Sequence, residues 1–353
     1  MATVNSHAES QVPDDVGVAI HTREGFTGDV CAMLRPNSVH QYTEASGPHA
    51  PHRVELAKLR LPDREDPRLV AAPFLSGRSG LAISASALAR STQYVLKDAE
   101  CDELHFIQEG ELDFVTAFGT LRAEPGDFVY VGRSVGYRLE PVSTPTLRLI
   151  IEIPERLRLA TSQPFGIVDF ARHVIAPDAS KPSVNGPTEL WLKSFDGVTR
   201  YTMRGDPLAF AAMLGGPVPV WKLNLAHIAQ QTTTSRVCPP AQFAQTPTRR
   251  SLFFTLSSRV VGRPPHHDNA DYDEVILYFR GPGAWGSIDT PGMLTWVPKG
   301  TTHWGATEEV PEGYWAWLLE CADTLRLTKA ADGAAELMET GLYGPVRPGA
   351  VRG

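Results

Sequence analysis

The most informative stretch of the chain is RPPHHDNADYDEVILYFRGPGAWGSIDTPGMLTWVPKGTTHWG, residues 263–305. It offers His267, Glu274 and His303 in that order, set between strand-like runs. In DEVILYF the side chains alternate, so Glu274, Ile276 and Tyr278 share one face of a strand. Gly281-Pro282-Gly283 reverses the chain, Pro291-Gly292 turns it again, and LTWV runs into Pro298-Lys299-Gly300, which sets His303 at the start of a further strand. Strand, turn, strand, turn, histidine is how a small β-barrel gathers sequence-distant side chains at one interior point. Two imidazoles and one carboxylate form the facial ligand set of non-heme Fe(II) sites with open positions. The same set also serves catalytic Zn2+.

Outward from this stretch the chain reads as mainly β. The segments LAISASAL, ELHFIQE, LDFVTAF, DFVYVG, YRLEP and TLRLIIEI, separated by Gly, Pro and Asp turns, predict a first antiparallel barrel over residues 80–154. VPVWKLNLAHI, SLFFTLSSRV, DEVILYF, GMLTWVP and GYWAWLLEC predict a second over 218–324. Residues 155–217 shift in composition and read as the connection, with a short helix expected at DPLAFAAML. Residues 1–17 read as a polar disordered terminus, 18–79 as an irregular arm packed on a barrel, and 325–353 as an extended tail. His40, His49 and His52 fall in the arm with no carboxylate at ligand spacing, and read as surface or packing residues.

The two halves can be laid on each other. CDELHFIQEG (101–110) matches YDEVILYFRG (272–281), and EPGDFVYVGRSVGY (124–137) matches TPGMLTWVPKGTTH (290–303). The first half then holds Leu96, Glu103 and Tyr137 where the second holds His267, Glu274 and His303. Leucine cannot ligate, and tyrosine is a poor replacement for imidazole in an Fe(II) site. One barrel reads as structural and the other as the metal holder. His105 shares the Glu103 face and is expected to pair with it.

His266 and His267 point to opposite faces of a strand, so both cannot reach one metal without a bulge. Position in the pattern assigns His267 and leaves His266 as an alternative catalytic or substrate-facing group. Asn269 shares the His267 side, and Asp271 and Asp273 read as turn residues or as groups orienting a histidine N–H. Arg280 shares the Glu274 face by parity. It is a candidate guanidinium for a substrate carboxylate, with Arg259 and Tyr278 comparable and Trp304 a candidate wall of an aromatic pocket.

At 353 residues with 42% hydrophobic content, 30 Gly and 29 Pro, the chain has material for two cores and is not of disordered type. A net charge of -7 gives no sign of a nucleic-acid or anionic-membrane partner. Cys31, Cys101, Cys238 and Cys321 are scattered, without a CxxC pair, which fits free thiols in a reduced cytoplasmic setting. No signal peptide or membrane-spanning run is read.

The pattern His267-x-Asn269-x-Asp271-x-Asp273-Glu274 with Pro298-x-Gly300-x-x-His303 resembles the paired metal-binding motifs of the cupin superfamily. More narrowly it is similar to the C-terminal cupin of homogentisate dioxygenase-like proteins, and DPLAFAAMLGGPVPVWKLNL (206–225) resembles the segment leading into that barrel. The resemblance implies a bicupin of two antiparallel β-barrel or jelly-roll domains with a few short helices. It also implies Fe(II) at His267, Glu274 and His303, and a ring-cleaving dioxygenase that inserts both atoms of O2 into a dihydroxylated aromatic. Homo-oligomerisation follows from the same resemblance. Homogentisate dioxygenases carry further histidines upstream of the triad, one of them implicated in proton transfer. Here none lies between His227 and His266, so His227 is the candidate replacement and the substrate widens to homogentisate-, gentisate- or hydroquinone-like phenols. Other classes open to the same barrel are a metal-dependent isomerase or hydrolase, and a non-catalytic bicupin that binds a small molecule.

Overall fold

The computed structural model describes residues 15–25, 28–40, 42–161, 166–210, 212–230, 240–257, 265–281, 288, 290–304 and 313–341. Among them strands dominate; the single α-helical turn is Phe170–His173, joined by a few 3-10 turns.

Each half closes around its own interior while sharing a common wall. In the first, a seven-stranded sheet contains Asp102–Glu109, Asp127–Val131, Leu147–Ile153 and Ala82–Ser86, and a six-stranded sheet contains Val95–Asp98, Tyr137–Pro141, Leu112–Thr116 and Gly119–Ala123. In the second, an eight-stranded sheet carries Ala241–Gln245, Ser251–Ser257, Trp315–Cys321, Asp273–Arg280 and Met293–Val297. Residues 273–279 are buried throughout, because that strand is covered on both faces. Ile276 and Tyr278 pack inside the second barrel with Leu252, Phe254 and Leu318. Val275, Leu277 and Phe279 point the other way, into a core formed with Phe106, Phe128, Leu149 and Phe243 of the large sheets. Phe106 lies 5.2 Å from Phe279 and 5.5 Å from Trp317, and Phe128 lies 4.7 Å from Phe243, so aromatic rings interlock the two halves.

Several expectations need correction. The arm is not irregular: Val16–Thr22 pairs with Val30–Pro36 and, in parallel, with His266–Asn269, while His52–Glu55 inserts beside Met293–Val297. Residues 16 and 17 therefore belong to a strand, and residues 1–14 lie outside the described residues. Val220–Asn224, expected in the second barrel, pairs with Asp127–Val131 of the first. DPLAFAAML forms no helix over its described part; Asp206 instead accepts from Leu208 N–H in a local turn, at 2.9 Å. The connection contributes a hairpin, Glu189–Ser194 with Gly197–Thr202, whose first strand runs parallel to Val95–Asp98. The tail is not free either: Leu325–Leu327 pairs with Leu75–Gly77 of the first half, and Ala335–Leu337 with His52–Glu55 of the second. Hydrophobic alternation marks a strand but not its neighbour, which is why these exchanges escape a reading along the chain. His52 stacks on Trp296 at 6.1 Å, in keeping with a packing role. No described helix is long and apolar enough to cross a membrane.

Candidate metal centre

Glu274 sits one residue into its strand, facing the interior of the second barrel, with Glu320 opposite it on one neighbouring strand and Val297 on the other. His267 and His303 meet through an isolated antiparallel bridge, each backbone N–H donating to the other's carbonyl at 2.8 and 3.0 Å. The turn before His303 is pinned from two sides. Gly300 N–H donates to Asn269 O at 2.8 Å, with Gly300 in the left-handed region at φ +78°. Lys299 N–H donates to Asp273 Oδ1 at 3.1 Å, and Asp273 Oδ2 accepts from Trp296 Nε1 and Leu325 N–H. Asp273 thus fixes the turn that aims His303 and touches neither imidazole.

His303 Nε2 lies 2.6 Å and His267 Nε2 3.5 Å from the same Glu274 oxygen. The three ligand atoms fall within 4.8 Å of one another. Both imidazoles lie with Nδ1 against a backbone carbonyl, His267 against Pro265 O at 3.1 Å and His303 against Thr301 O at 2.9 Å. An Nδ1–H donated there leaves Nε2 to ligate, the usual orientation of a metal-bound histidine. His267 Nε2 is buried and has no hydrogen-bond partner, a cost that a metal ligand bond would remove. Burial drives the Glu274 carboxyl upward, but His303 and His267 outweigh it and hold Glu274 far below the usual carboxylate range. Burial also pulls His303 down, and Glu274 more than reverses it, so the imidazole is raised. Buried donors, a pre-formed carboxylate and two Nε2 atoms converging on one point fit a divalent metal.

The first barrel repeats this layout without the ligands. Tyr137 pairs with Leu96 as His303 pairs with His267, and Glu103 stands opposite Glu152 as Glu274 stands opposite Glu320. Asp98, Glu103 and Glu152 cluster there, but the Lys193 ammonium sits among them, bonded to Glu152 and 3.3 Å from Asp98. A tethered cation takes the charge-balancing place that a metal holds in such a cluster. His105 Nε2 lies 3.6 Å from Glu103, the expected pair.

Residues 68–188 match the family model for the homogentisate 1,2-dioxygenase N-terminal region. Over these residues the chain is similar to homogentisate 1,2-dioxygenases. The homogentisate 1,2-dioxygenase of Bradyrhizobium diazoefficiens is 28% identical over 129 residues, covering 35% of this chain and 28% of that protein. That of Rhodopseudomonas palustris is 30% identical over 125 residues, covering 33% and 27%. The matched part thus spans under a third of each curated enzyme. A Saccharolobus solfataricus protein provisionally named a dioxygenase is 23% identical over 260 residues, covering 70% of this chain and 66% of its own length. Among solved structures, Bacillus subtilis oxalate decarboxylase aligns over 81% of this chain and 80% of its own, at 11% identity and a TM-score of 0.39. The family match falls on the first barrel and its connection, so the triad of the second rests on its own geometry.

Around that triad the bicupin places the other candidates unevenly. His266 is buried and faces away from His267, its ring 3.9 Å from that of Trp304 at 67°. Asn269 is buried and reaches the site indirectly, donating Nδ2–H to Glu320 Oε1 at 2.9 Å and accepting Tyr272 N–H. Tyr278 is a core residue stacked on Tyr314 at 4.8 Å, donating to Gly281 O, and at about 3.3 Å per residue its Cα lies about 13 Å along the strand from Glu274. The parity expected for Arg280 fails, because the register shifts between Tyr278 and Arg280. Arg280 is exposed at the far end of the strand, over Phe279 and Trp315. His227 is not in a strand; it ends a 3-10 turn, is exposed, and stacks on His173 at 4.3 Å. Asp271 holds Arg23 and Glu24 N–H of the arm, not a histidine. Arg259 lies outside the described residues.

Glu320 is the residue that sequence reasoning missed. It is 1% exposed, its Oε2 has no partner, and a Cβ on Gly25 of the arm would come within 2.2 Å of that oxygen. Burial first, and then the charge of Glu274, raises its carboxyl well above the usual range. The repeat contains the signal: LIIEI (149–153) and WLLEC (317–321) each place one acid in an apolar strand.

Proposed function

We propose that this bicupin is an Fe(II)-dependent ring-cleaving dioxygenase acting on a dihydroxylated aromatic of homogentisate, gentisate or hydroquinone type. The observation that carries the reading is the convergence of His267 Nε2, Glu274 Oε2 and His303 Nε2 at one buried point. When bound, iron would supply Lewis acidity toward a phenolate and a redox partner for O2. The three side chains would hold it on one side, leaving positions for substrate and O2.

The protein's own groups prepare the rest. Glu274 brings one negative charge to the centre. Glu320 faces it from the neighbouring strand with Oε1 accepting from Asn269, and burial together with the Glu274 charge pushes its carboxyl well up. With one carboxylate and two neutral imidazoles as its protein ligands, a divalent ion would keep net positive charge to favour a phenolate. The His266 and Trp304 rings pack on each other on the far side of the His267–His303 bridge and back it from behind. The reaction balances without an outside reductant, since both oxygen atoms of O2 end in the opened product. Cytoplasmic residence and assembly into a homo-oligomer belong to the same reading; the free thiols of Cys31, Cys101 and Cys321 fit the first.

The test is O2 uptake by anaerobically Fe(II)-loaded protein against 1,4- and 1,2-dihydroxy aromatics. Uptake with one phenol, abolished by His267→Ala, is expected. Stoichiometric bound metal without uptake on any phenol would sink the dioxygenase reading and move the weight to a metal-dependent isomerase or hydrolase.

A further inference from the structure

The first barrel has a cavity of its own, between its interior and the strap of residues 67–71, and Arg148 stands at its inner wall. Arg148 is 5% exposed. Its Nε–H donates to Ser86 Oγ at 3.1 Å, and one terminal nitrogen lies 3.4 Å from His105 Nδ1. Among the described residues it makes no ion pair with any carboxylate. A guanidinium has five N–H donors, so most of this one's donors remain unused at the cavity wall.

The carboxylates nearby are committed to other groups. Asp63 accepts from Ser86 Oγ at 2.5 Å and from Ala87 N–H at 3.2 Å. Glu152 and Asp98 hold Lys193, and Glu103 faces His105. Ser84 Oγ, also on the cavity wall, is buried without a partner. The remaining wall is largely apolar, formed by Leu69, Val70, Leu88, Leu139 and Ile150. A buried cation with spare donors is costly unless something anionic meets it. A bidentate carboxylate matches the guanidinium fork, and the apolar wall matches a short hydrocarbon tail.

We propose that the first barrel binds a small apolar monocarboxylate, held by Arg148 and Ser84, at a site separate from the metal triad of the second barrel. Such a ligand would meet the spare Arg148 donors and the unpartnered Ser84 Oγ.

Isothermal titration of the full-length protein, with chelator present, against acetate, butyrate and benzoate tests this. Benzamide serves as the uncharged match. Saturable one-site binding of a carboxylate is expected, at least tenfold tighter than the amide and at least tenfold weakened by Arg148→Met. Because that variant removes a buried partner of Ser86, Ala71→Phe provides a second probe: it narrows the mouth from the strap, leaves Arg148 in place, and is expected to block binding. Absence of saturable binding by all three acids overturns the proposal. So does binding that both variants leave within twofold, or binding that survives them and disappears in Glu274→Gln.

Discussion

At the triad, each histidine settles its own tautomer before any metal arrives, because Pro265 O and Thr301 O take the Nδ1–H groups. Without metal, His303 and Glu274 form an ion pair whose pH dependence is fixed in sign. Glu274 is depressed below 4.5, so its contribution is present above that value and fades as pH falls through the folded value. His303 is raised above 6.5, so its contribution is full below 6.5 and fades as pH rises through the folded value. Thermal melts of metal-free protein should therefore show the gap between wild type and His303→Ala widest near about pH 5.5, and narrowing above the raised His303 value. A gap independent of pH would contradict the ion pair. Metal must displace the His303 proton, so binding should release protons and tighten with rising pH over the same upper range. Glu274→Gln should lose stoichiometric metal, measured on the dialysed protein, while Tyr278→Phe should keep it. The triad was legible in the sequence because its spacing and turn carry meaning by themselves. Glu320 was not, since a lone acid in WLLEC acquires a role only when its strand is laid beside Glu274. Arg280 misled because parity fails at a bulge that no residue type announces.

The strand Asp273–Arg280 carries two loads, the Glu274 carboxylate on one face and the core between barrels on the other. Trp317, opposite Leu277, fills that core against Phe106 and Phe128 and is fully buried. Trp317→Ala should cost about 3–5 kcal/mol, read by denaturant unfolding, a range typical of large aromatic deletions. A loss below about 1 kcal/mol would mean that the core collapses around the gap, contrary to the packing described. The alternating and continuous apolar runs made these central strands readable. The strand Val16–Thr22 was not readable, because VGVAIHT gains its partner, His266–Asn269, from the far end of the chain.

The molecule as a whole is knitted by exchanged strands. The tail edges a sheet of the first barrel through Leu325–Leu327, and the N-terminal strand His52–Glu55 is inserted in the sheet of the second between Met293–Val297 and Ala335–Leu337. Such sharing predicts a single cooperative unfolding transition with coincident fluorescence and circular-dichroism curves. Residues 80–154 expressed alone should fail to fold, since Phe106, Phe128 and Leu149 would lose the opposite half of their core. Duplication was legible from the repeat, whereas the interleaving depends on long-range pairing that local patterns do not encode. In the proposed function one barrel holds an iron through His267, Glu274 and His303, and the product retains both atoms of O2. Mass spectrometry of product formed under 18O2, by protein loaded with one Fe(II) per chain, tests it most directly. A ring-opened product four mass units heavier than that formed in ordinary oxygen is expected, and none from His267→Ala. An unlabelled or singly labelled product that does not lose label by exchange with water would contradict it.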